Sequence, residues 1–100
     1  MRGLRMYSKV YWISCDPDKT EKLLAHYDSV LTPAIKNSEH HAGHHMIETG
    51  DGKWLLISNY HNAAGAEAAV PLVQELVKPM IEQYGMTLDV LTQGEVARSI

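Results

Sequence analysis

Apolar and polar residues alternate along four short stretches of the chain, which is the pattern of β-strands with at least one buried face. Tyr, Val, Trp, Ile and Leu are common in these stretches, as is typical of strands. The predicted strands are Tyr7–Cys15, His44–Thr49, Lys53–His61 and Met86–Val96. The chain therefore contains enough strand for one four-stranded sheet.

The connection between the second and third strands contains Asp51-Gly52, a pair that favours a tight hairpin turn because it tolerates positive φ angles. If these two residues form the turn, Gly50 lies opposite Lys53. Counting back along the antiparallel pair then places Met46 opposite Ile57 and His44 opposite Asn59, with all four on one face of the sheet.

Two further stretches carry apolar residues at intervals of three and four, the spacing that gathers side chains on one face of a helix. The first stretch includes Leu23, Leu24, Tyr27, Val30, Leu31, Ala34 and Ile35. The second includes Ala66, Ala69, Val70, Val73, Leu76, Val77, Met80, Ile81 and Tyr84. Each apolar face requires a sheet beneath it.

Prolines and end signals set the limits of these helices. Pro33 has no amide hydrogen, so the first helix should bend near Thr32. Pro71 and Pro79 predict interruptions in the second helix. Asn62 is its predicted N-cap and Gly85 its end.

The two halves of the chain repeat one unit. Val30–Lys36 and Leu76–Glu82 match in their order of apolar, polar and proline positions, and each half consists of a strand, a helix and a strand. Right-handed crossovers bring the first and third strands to the centre. We therefore predict an α+β fold, a ferredoxin-like βαββαβ antiparallel sheet with two helices on one face, over residues 1–100 as a single domain.

Both faces of the predicted sheet are substantially apolar. Two helices can cover only one face, and an antiparallel sheet whose other face meets water should be polar there. We therefore expect a second copy of the chain to cover the other face, giving a homodimer.

Composition excludes several classes of partner. The 100 residues contain nine basic and twelve acidic residues, for a net charge of −3, with no block of like charge. Nucleic acid and membranes are therefore unlikely partners on electrostatic grounds. No signal peptide or transmembrane stretch is expected, and the single cysteine, Cys15, cannot form an internal disulfide. We expect a cytoplasmic protein.

The segment Ser58-Asn59-Tyr60-His61-Asn62-Ala63-Ala64 resembles the aromatic-ended strand and helix cap of the dimeric α+β barrel superfamily, and within it the antibiotic-biosynthesis-monooxygenase-like (ABM-like) group. The resemblance covers the whole chain in element order and length. It implies that two subunits pack sheet against sheet, while each keeps a pocket between its own sheet and helices.

The resemblance also implies site residues. The family's pocket tryptophan aligns with His61 and its pocket asparagine with Tyr11. The residues expected to bind a small apolar ligand are Tyr11, Tyr27, Met46, Ile57 and His61. The residues expected to be catalytic, if the protein is an enzyme, are His44 as a base and Asn59 as a stabiliser of negative charge. The dimer contact is expected to include Trp12, Trp54, Leu56 and Tyr60.

Three functions from different classes remain open at this point. The leading one is a homodimer that binds a small, largely apolar molecule. The second is a cofactor-independent monooxygenase or isomerase acting on a phenolic or lipid-like substrate. The resemblance implies that members which degrade haem carry a ligating histidine on the second helix, and haem degradation is disfavoured here because residues 62–84 contain no histidine. The third is a structural or regulatory dimer whose interior is filled by side chains.

The run His40-His41-Ala42-Gly43-His44-His45 raises the question of a metal site. Zinc or iron needs three or four ligands that converge on one point. Neighbouring strand residues project to opposite faces, so His44 and His45 cannot both reach one ion without a bulge. A site formed by His44, His61 and Glu48 stays open, but we expect no metal. We expect the loop histidines His40 and His41 to be solvated and the strand histidines His44 and His45 to be hydrogen-bonded.

Overall fold

The computed structural model describes residues 5–100 and contains four strands in one antiparallel sheet. The strands are β1 Tyr7–Ser14, β2 His41–Gly50, β3 Lys53–Tyr60 and β4 Thr87–Glu95. Their spatial order is β2-β3-β1-β4. The first and third strands are central, so the predicted ferredoxin-like α+β fold is confirmed.

The first helical segment is continuous but changes its winding. A 3₁₀ turn at Pro17–Lys19 leads into α1, Thr20–His26; a π-helical turn at Tyr27–Leu31 follows, and then α2, Thr32–Asn37. Pro33 cannot donate a bond to the turn before it. The wider turn immediately precedes this proline, where the sequence predicts a bend, and it carries Tyr27 toward the sheet.

The second helical segment breaks once. Asn62 caps α3, Ala63–Ala68, by accepting a hydrogen bond from the Gly65 amide at 2.7 Å, as predicted. After Ala69 the chain continues as α4, Val70–Tyr84, which ends at Gly85 with φ +61°.

The predicted interruptions at the two prolines of this segment are wrong. Pro71 lies in the first turn of α4, where the amide that it lacks would have no partner inside the helix. Pro79 is accommodated inside a helix that does not stop. The single break falls at Ala69 instead, between α3 and α4.

The hairpin between β2 and β3 differs from the predicted register. Gly50 does lie opposite Lys53, but Glu48 lies opposite Trp54, which leaves Thr49 as an extra residue in a bulge. Gly52 has a φ of +67°, whereas no described non-glycine residue, Asp51 included, has a positive φ. The turn is therefore not the two-residue type I′ turn, which needs positive φ at both positions, and a bulge takes up the difference.

This bulge shifts the pairs from Glu48 back to Gly43 by one residue, and a second irregularity between His41 and Gly43 places His41 opposite Tyr60. Met46 lies opposite Leu56 rather than Ile57, and His44 lies opposite Ser58 rather than Asn59. Because side chains alternate along a strand, a shift of one residue exchanges the two faces of β3 relative to β2. The predicted pairs are therefore wrong.

On β3, the helices cover the side that the sequence assigned to the dimer contact. Trp54, Leu56 and Tyr60 are buried under the helices within a single chain, with exposed fractions of 2%, 8% and 1%. They belong to the core, with Tyr11, Ile13, Leu23, Leu31, Met80 and Met86. Their assignment to a dimer contact is corrected, because a residue enclosed in one subunit cannot meet another.

The other side of the sheet bears no helix in the described chain. We call it the open face and define it by Trp12, Ile47, Leu55 and Ile57, which the register places side by side. Ile47 is 45% exposed and the other three are half-buried. Of the predicted dimer residues, only Trp12 lies here.

Within residues 5–100, none of the helices is both long enough and apolar enough to span a bilayer.

Candidate functional site

A small cavity of about 40 Å³ lies between the sheet and the helices. Most of its lining is aliphatic or thioether, from Ile13, Leu23, Leu31, Ile35, Met46, Leu56, Val73, Leu76, Val77, Met80, Met86 and Leu88. Six lining residues carry polar groups, namely Tyr11, Tyr27, His41, His44, Ser58 and Tyr60. An apolar space with a few inward polar groups is the usual composition of a small-molecule site.

Tyr27 and His44 form the best-defined polar contact in this cavity. Tyr27 comes from the π-helical turn and His44 from β2, and the tyrosine hydroxyl is hydrogen-bonded to Nε2 of the imidazole. The two ring centroids lie 5.7 Å apart. The contact joins the first helical segment to the sheet across the cavity.

Burial keeps both groups of this contact uncharged. Burial raises the pKa of Tyr27, with a smaller contribution from the nearby Asp28 carboxylate. Burial lowers the pKa of His44, and neighbouring His45 lowers it further. Both groups are therefore neutral near pH 7. In the tautomer that carries the imidazole proton on Nδ1, the Tyr27 hydroxyl donates and Nε2 of His44 accepts.

His41 is a second inward histidine. Its Nδ1 lies 2.7 Å from the Ser38 hydroxyl, and its ring centroid is 4.7 Å from that of Tyr60. Burial is the main reason that the pKa of His41 is lowered, and the charges of His44, His40 and His61 lower it further. The sequence predicted a solvated loop residue here. That prediction is wrong, because β2 begins at His41 and the residue is only 8% exposed.

Tyr11 and Tyr60 contribute two more hydroxyls from the central strands. Both side chains are buried. Burial is the main reason that the pKa of Tyr11 is raised, and the adjacent Tyr60 raises it further. Tyr11 therefore stays protonated and can donate or accept a hydrogen bond, but it is not an ionised nucleophile at neutral pH.

The structure brings together four of the seven predicted site residues. Tyr11, Tyr27, His44 and Met46 line the cavity. Their role in binding or catalysis stays a prediction.

The other three lie elsewhere. Ile57 and Asn59 are displaced to the opposite face by the bulge at Thr49, and the Asn59 amide oxygen accepts a hydrogen bond from Ser8 there. His61 lies exposed beyond the end of β3. The predicted meeting of His44 with Asn59 does not occur within the chain.

The sequence interpretation missed Leu56, Ser58 and Tyr60 as lining residues because of the register shift. A usable signal was present in β3 itself. One alternating set contains Trp54, Leu56 and Tyr60, whereas the other ends in the polar pair Asn59 and His61. The set with two large aromatic residues is the better candidate for the enclosed face.

Over residues 5–100, no group of three or more His, Cys, Asp or Glu side chains is arranged to hold a metal ion. His44 and His45 occupy successive positions of β2, and His44 lines the cavity whereas His45 is exposed.

Comparisons with known proteins reveal the fold and no close sequence relative. No family model matches the chain, and no curated protein matches it in sequence. A protein of unknown function from Nitrosomonas europaea is similar in structure, with a TM-score of 0.77, 10% identity, and coverage of 98% of this chain and 95% of that chain.

Two other solved structures carry informative descriptions. A dimeric ferredoxin-like protein from an uncultured marine organism has a TM-score of 0.73 at 9% identity, covering 95% of this chain and 97% of that chain. A variant of SnoaB, a cofactor-independent oxygenase from Streptomyces nogalater, has a TM-score of 0.67 at 9% identity, covering 96% and 97%. Identities this low show the fold alone. The chain shares its fold with these proteins, among them a dimeric ferredoxin-like protein and a cofactor-independent oxygenase, and this likeness of fold agrees with the resemblance found in its sequence.

Proposed function

We propose that the protein binds a small, largely apolar molecule with one hydroxyl or carbonyl group, between the sheet and the helices. The observation that carries this proposal is the Tyr27–His44 contact in a cavity whose lining is mostly apolar. A neutral imidazole and a phenol in such surroundings can form a hydrogen bond with a polar group of the ligand. The apolar lining supplies the remaining affinity.

The size of the cavity restricts how the ligand enters. About 40 Å³ is room for water, whereas bound organic ligands occupy about 300–1,000 Å³. Side chains must therefore move. Met46, Met80 and Met86 all line the cavity, and methionine has an unbranched side chain that changes conformation readily. We infer that these methionines rearrange when the ligand enters.

Binding of 2-naphthol, a fluorescent apolar phenol, tests the proposal. We expect His44→Ala to weaken 2-naphthol binding by about tenfold, because one hydrogen bond in an apolar site is lost. His45→Ala is the matched control, since His45 is the adjacent residue and is exposed. If His44→Ala and His45→Ala bind 2-naphthol as tightly as the unmodified protein, His44 is not the polar end of the site.

We further propose that two copies pair through the open face. An apolar sheet surface that no helix covers is an association surface in most soluble proteins. The structural neighbours described as dimeric ferredoxin-like proteins support this arrangement. The proposed contact consists of Trp12, Ile47, Leu55 and Ile57, and it replaces the set expected from the sequence.

A cytoplasmic location likewise stays a prediction.

A catalytic role is the second candidate, and the lowered pKa of His44 favours it. Once a bound phenol replaces the Tyr27 hydroxyl at Nε2, the neutral imidazole can take the phenol's proton, leaving a phenolate and an imidazolium. Such a step would begin an oxygenase or isomerase reaction, with no role for Asn59. Oxygen consumption in the presence of 2-naphthol, and its loss in His44→Ala but not His45→Ala, would establish the oxygenase.

A structural dimer without a ligand is the remaining candidate, and the small volume of the cavity favours it. In that case 2-naphthol neither binds nor raises the melting temperature. The Tyr27–His44 contact would then serve only to satisfy two buried polar groups.

A further inference from the structure

A cleft runs beside the interior cavity, between the first half of α4 and the strands β1 and β4. Its inner part, which we call the inner cleft, has a volume of about 190 Å³. Val70, Val73 and Val77 form the helix side, and Tyr60, Leu88 and Val90 lie on the sheet. A larger, more open part of about 520 Å³ continues toward α3, where Ala66 and Glu67 lie.

The inner cleft is contiguous with the interior cavity. Tyr11, Tyr60, Val73, Val77 and Leu88 line both spaces. The helices cover the sheet incompletely at β4, as the 51% exposure of Val90 beside α4 shows. A ligand that displaces side chains of the cavity can therefore extend into this cleft.

Lys9 is the only charged residue that lines the inner cleft in the part of the chain that the structure describes. It extends from β1, is half-buried, and places its ammonium group 5.9 Å from the centre of the Tyr60 ring. Across residues 5–100 it makes no ion pair with a carboxylate. The ring face stabilises the cation weakly and leaves its hydrogen-bond donors available.

We propose that the natural ligand is a monocarboxylate with an apolar body, whose carboxylate pairs with Lys9 while the body lies along the valines of α4. The inference rests on the proposed binding function, because the cleft and the cavity share residues. A half-buried ammonium in an apolar cleft favours an anionic partner over a neutral one. Exposed Glu67 at the outer end repels additional negative charge, which disfavours a phosphate monoester.

Decanoate and decanol provide a matched pair of probes, since they have equal chain length and differ in charge. We expect the protein to bind decanoate at least about tenfold more tightly than decanol, because a charged hydrogen bond is added. Decylamine should bind more weakly than either, since its cation meets Lys9. Isothermal titration calorimetry measures all three below their micelle concentrations.

Lys9→Gln should remove the preference for decanoate and leave decanol binding unchanged. Lys53→Gln is the control, because Lys53 is exposed at the hairpin. Circular dichroism checks that each variant folds. The preference of the unmodified protein for decanoate over decanol is an independent measurement that requires no variant.

The outcomes separate this inference from the function on which it rests. If decanol binds as tightly as decanoate, or if Lys9→Gln retains the preference, the carboxylate assignment is overturned while binding in the pocket stands. If 2-naphthol binds and no ten-carbon probe does, the carboxylate assignment is again overturned. If neither 2-naphthol nor decanoate binds, the proposed function itself is wrong.

Discussion

The hydroxyl of Tyr27 and Nε2 of His44 are joined by a hydrogen bond between the π-helical turn and β2. The two residues lie on separate elements, and the contact depends on the wider helical turn that precedes Pro33. Because both groups are neutral, the bond places a polar contact in a mostly apolar interior without burying a charge.

Removing the hydroxyl should cost stability. Tyr27→Phe leaves Nε2 of His44 without its partner, so we expect the free energy of unfolding to fall by about 1 kcal/mol or more. Urea denaturation measures the change. Tyr7→Phe is the control, since its hydroxyl bonds Gln93 at an exposed position and should be worth less than about 0.5 kcal/mol. Equal losses in the two variants would contradict the importance of the Tyr27–His44 contact.

Stability should decrease as the pH is lowered from 7 to 5. Burial lowers the pKa of His41 and of His44 in the folded chain, whereas unfolded histidine titrates near about pH 6.5. Below that pH the unfolded chain binds more protons, so acid favours unfolding, and the loss is complete only below the folded pKa values. Above about pH 7 both histidines are neutral in the folded and the unfolded chain, so they add no pH dependence to the free energy of unfolding.

Urea denaturation at several pH values between 5 and 7.5 measures this dependence without titrating most carboxylates. His41→Gln and His44→Gln should each reduce the pH slope. His45→Gln should alter the slope less than either, because His45 is exposed and acts only through its smaller effect on the pKa of His44. A slope that neither buried substitution alters would show that other groups cause the acid sensitivity.

Gly52 should be intolerant of any side chain. Its φ is +67°, and a Cβ atom would lie 2.6 Å from the Cys15 carbonyl oxygen. We expect Gly52→Ala to destabilise the protein by about 2 kcal/mol or more, through backbone strain and this clash. Gly50→Ala is the matched control, since its nearest neighbour would be the flexible Lys53 side chain at 3.9 Å. Thermal unfolding that ranks the two variants equally would contradict this account of the turn.

A charge on the open face should separate the proposed dimer. Ile57→Lys places an ammonium group among Trp12, Ile47 and Leu55, so we expect a folded monomer of normal secondary structure. Light scattering during size-exclusion chromatography measures the mass. Glu75→Lys is the control because Glu75 is exposed on α4. A protein that is monomeric before any substitution would refute the proposed pairing.

Local signals predicted the elements well. Alternating apolar residues marked all four strands, and Asn62 and Gly85 marked the ends of the second helical segment where the structure has them. These signals act over a few residues, so they can be read without knowledge of the packing. They were sufficient for the order of elements and hence for the fold.

The contents of the site were harder to predict, because they depend on register. A single unpaired residue, Thr49, moved Ile57 and Asn59 to the opposite face and brought Ser58 and Tyr60 inward. Nothing in the hairpin sequence distinguishes a two-residue turn from a turn with a bulge, since Asp-Gly suits both. Tyr27 lines the cavity, as its helical periodicity indicates, while its role as a ligand contact stays a prediction.

Because of the bulge at Thr49, a single residue decides which face of β3 lies beside a given face of β2. Gain or loss of a single residue beside the turn exchanges the two faces of β3 relative to β2. The backbone hydrogen bonds between the two strands can still form in the new register. Relatives that share this architecture can therefore acquire a different set of cavity-lining side chains by a length change, without any substitution within β3.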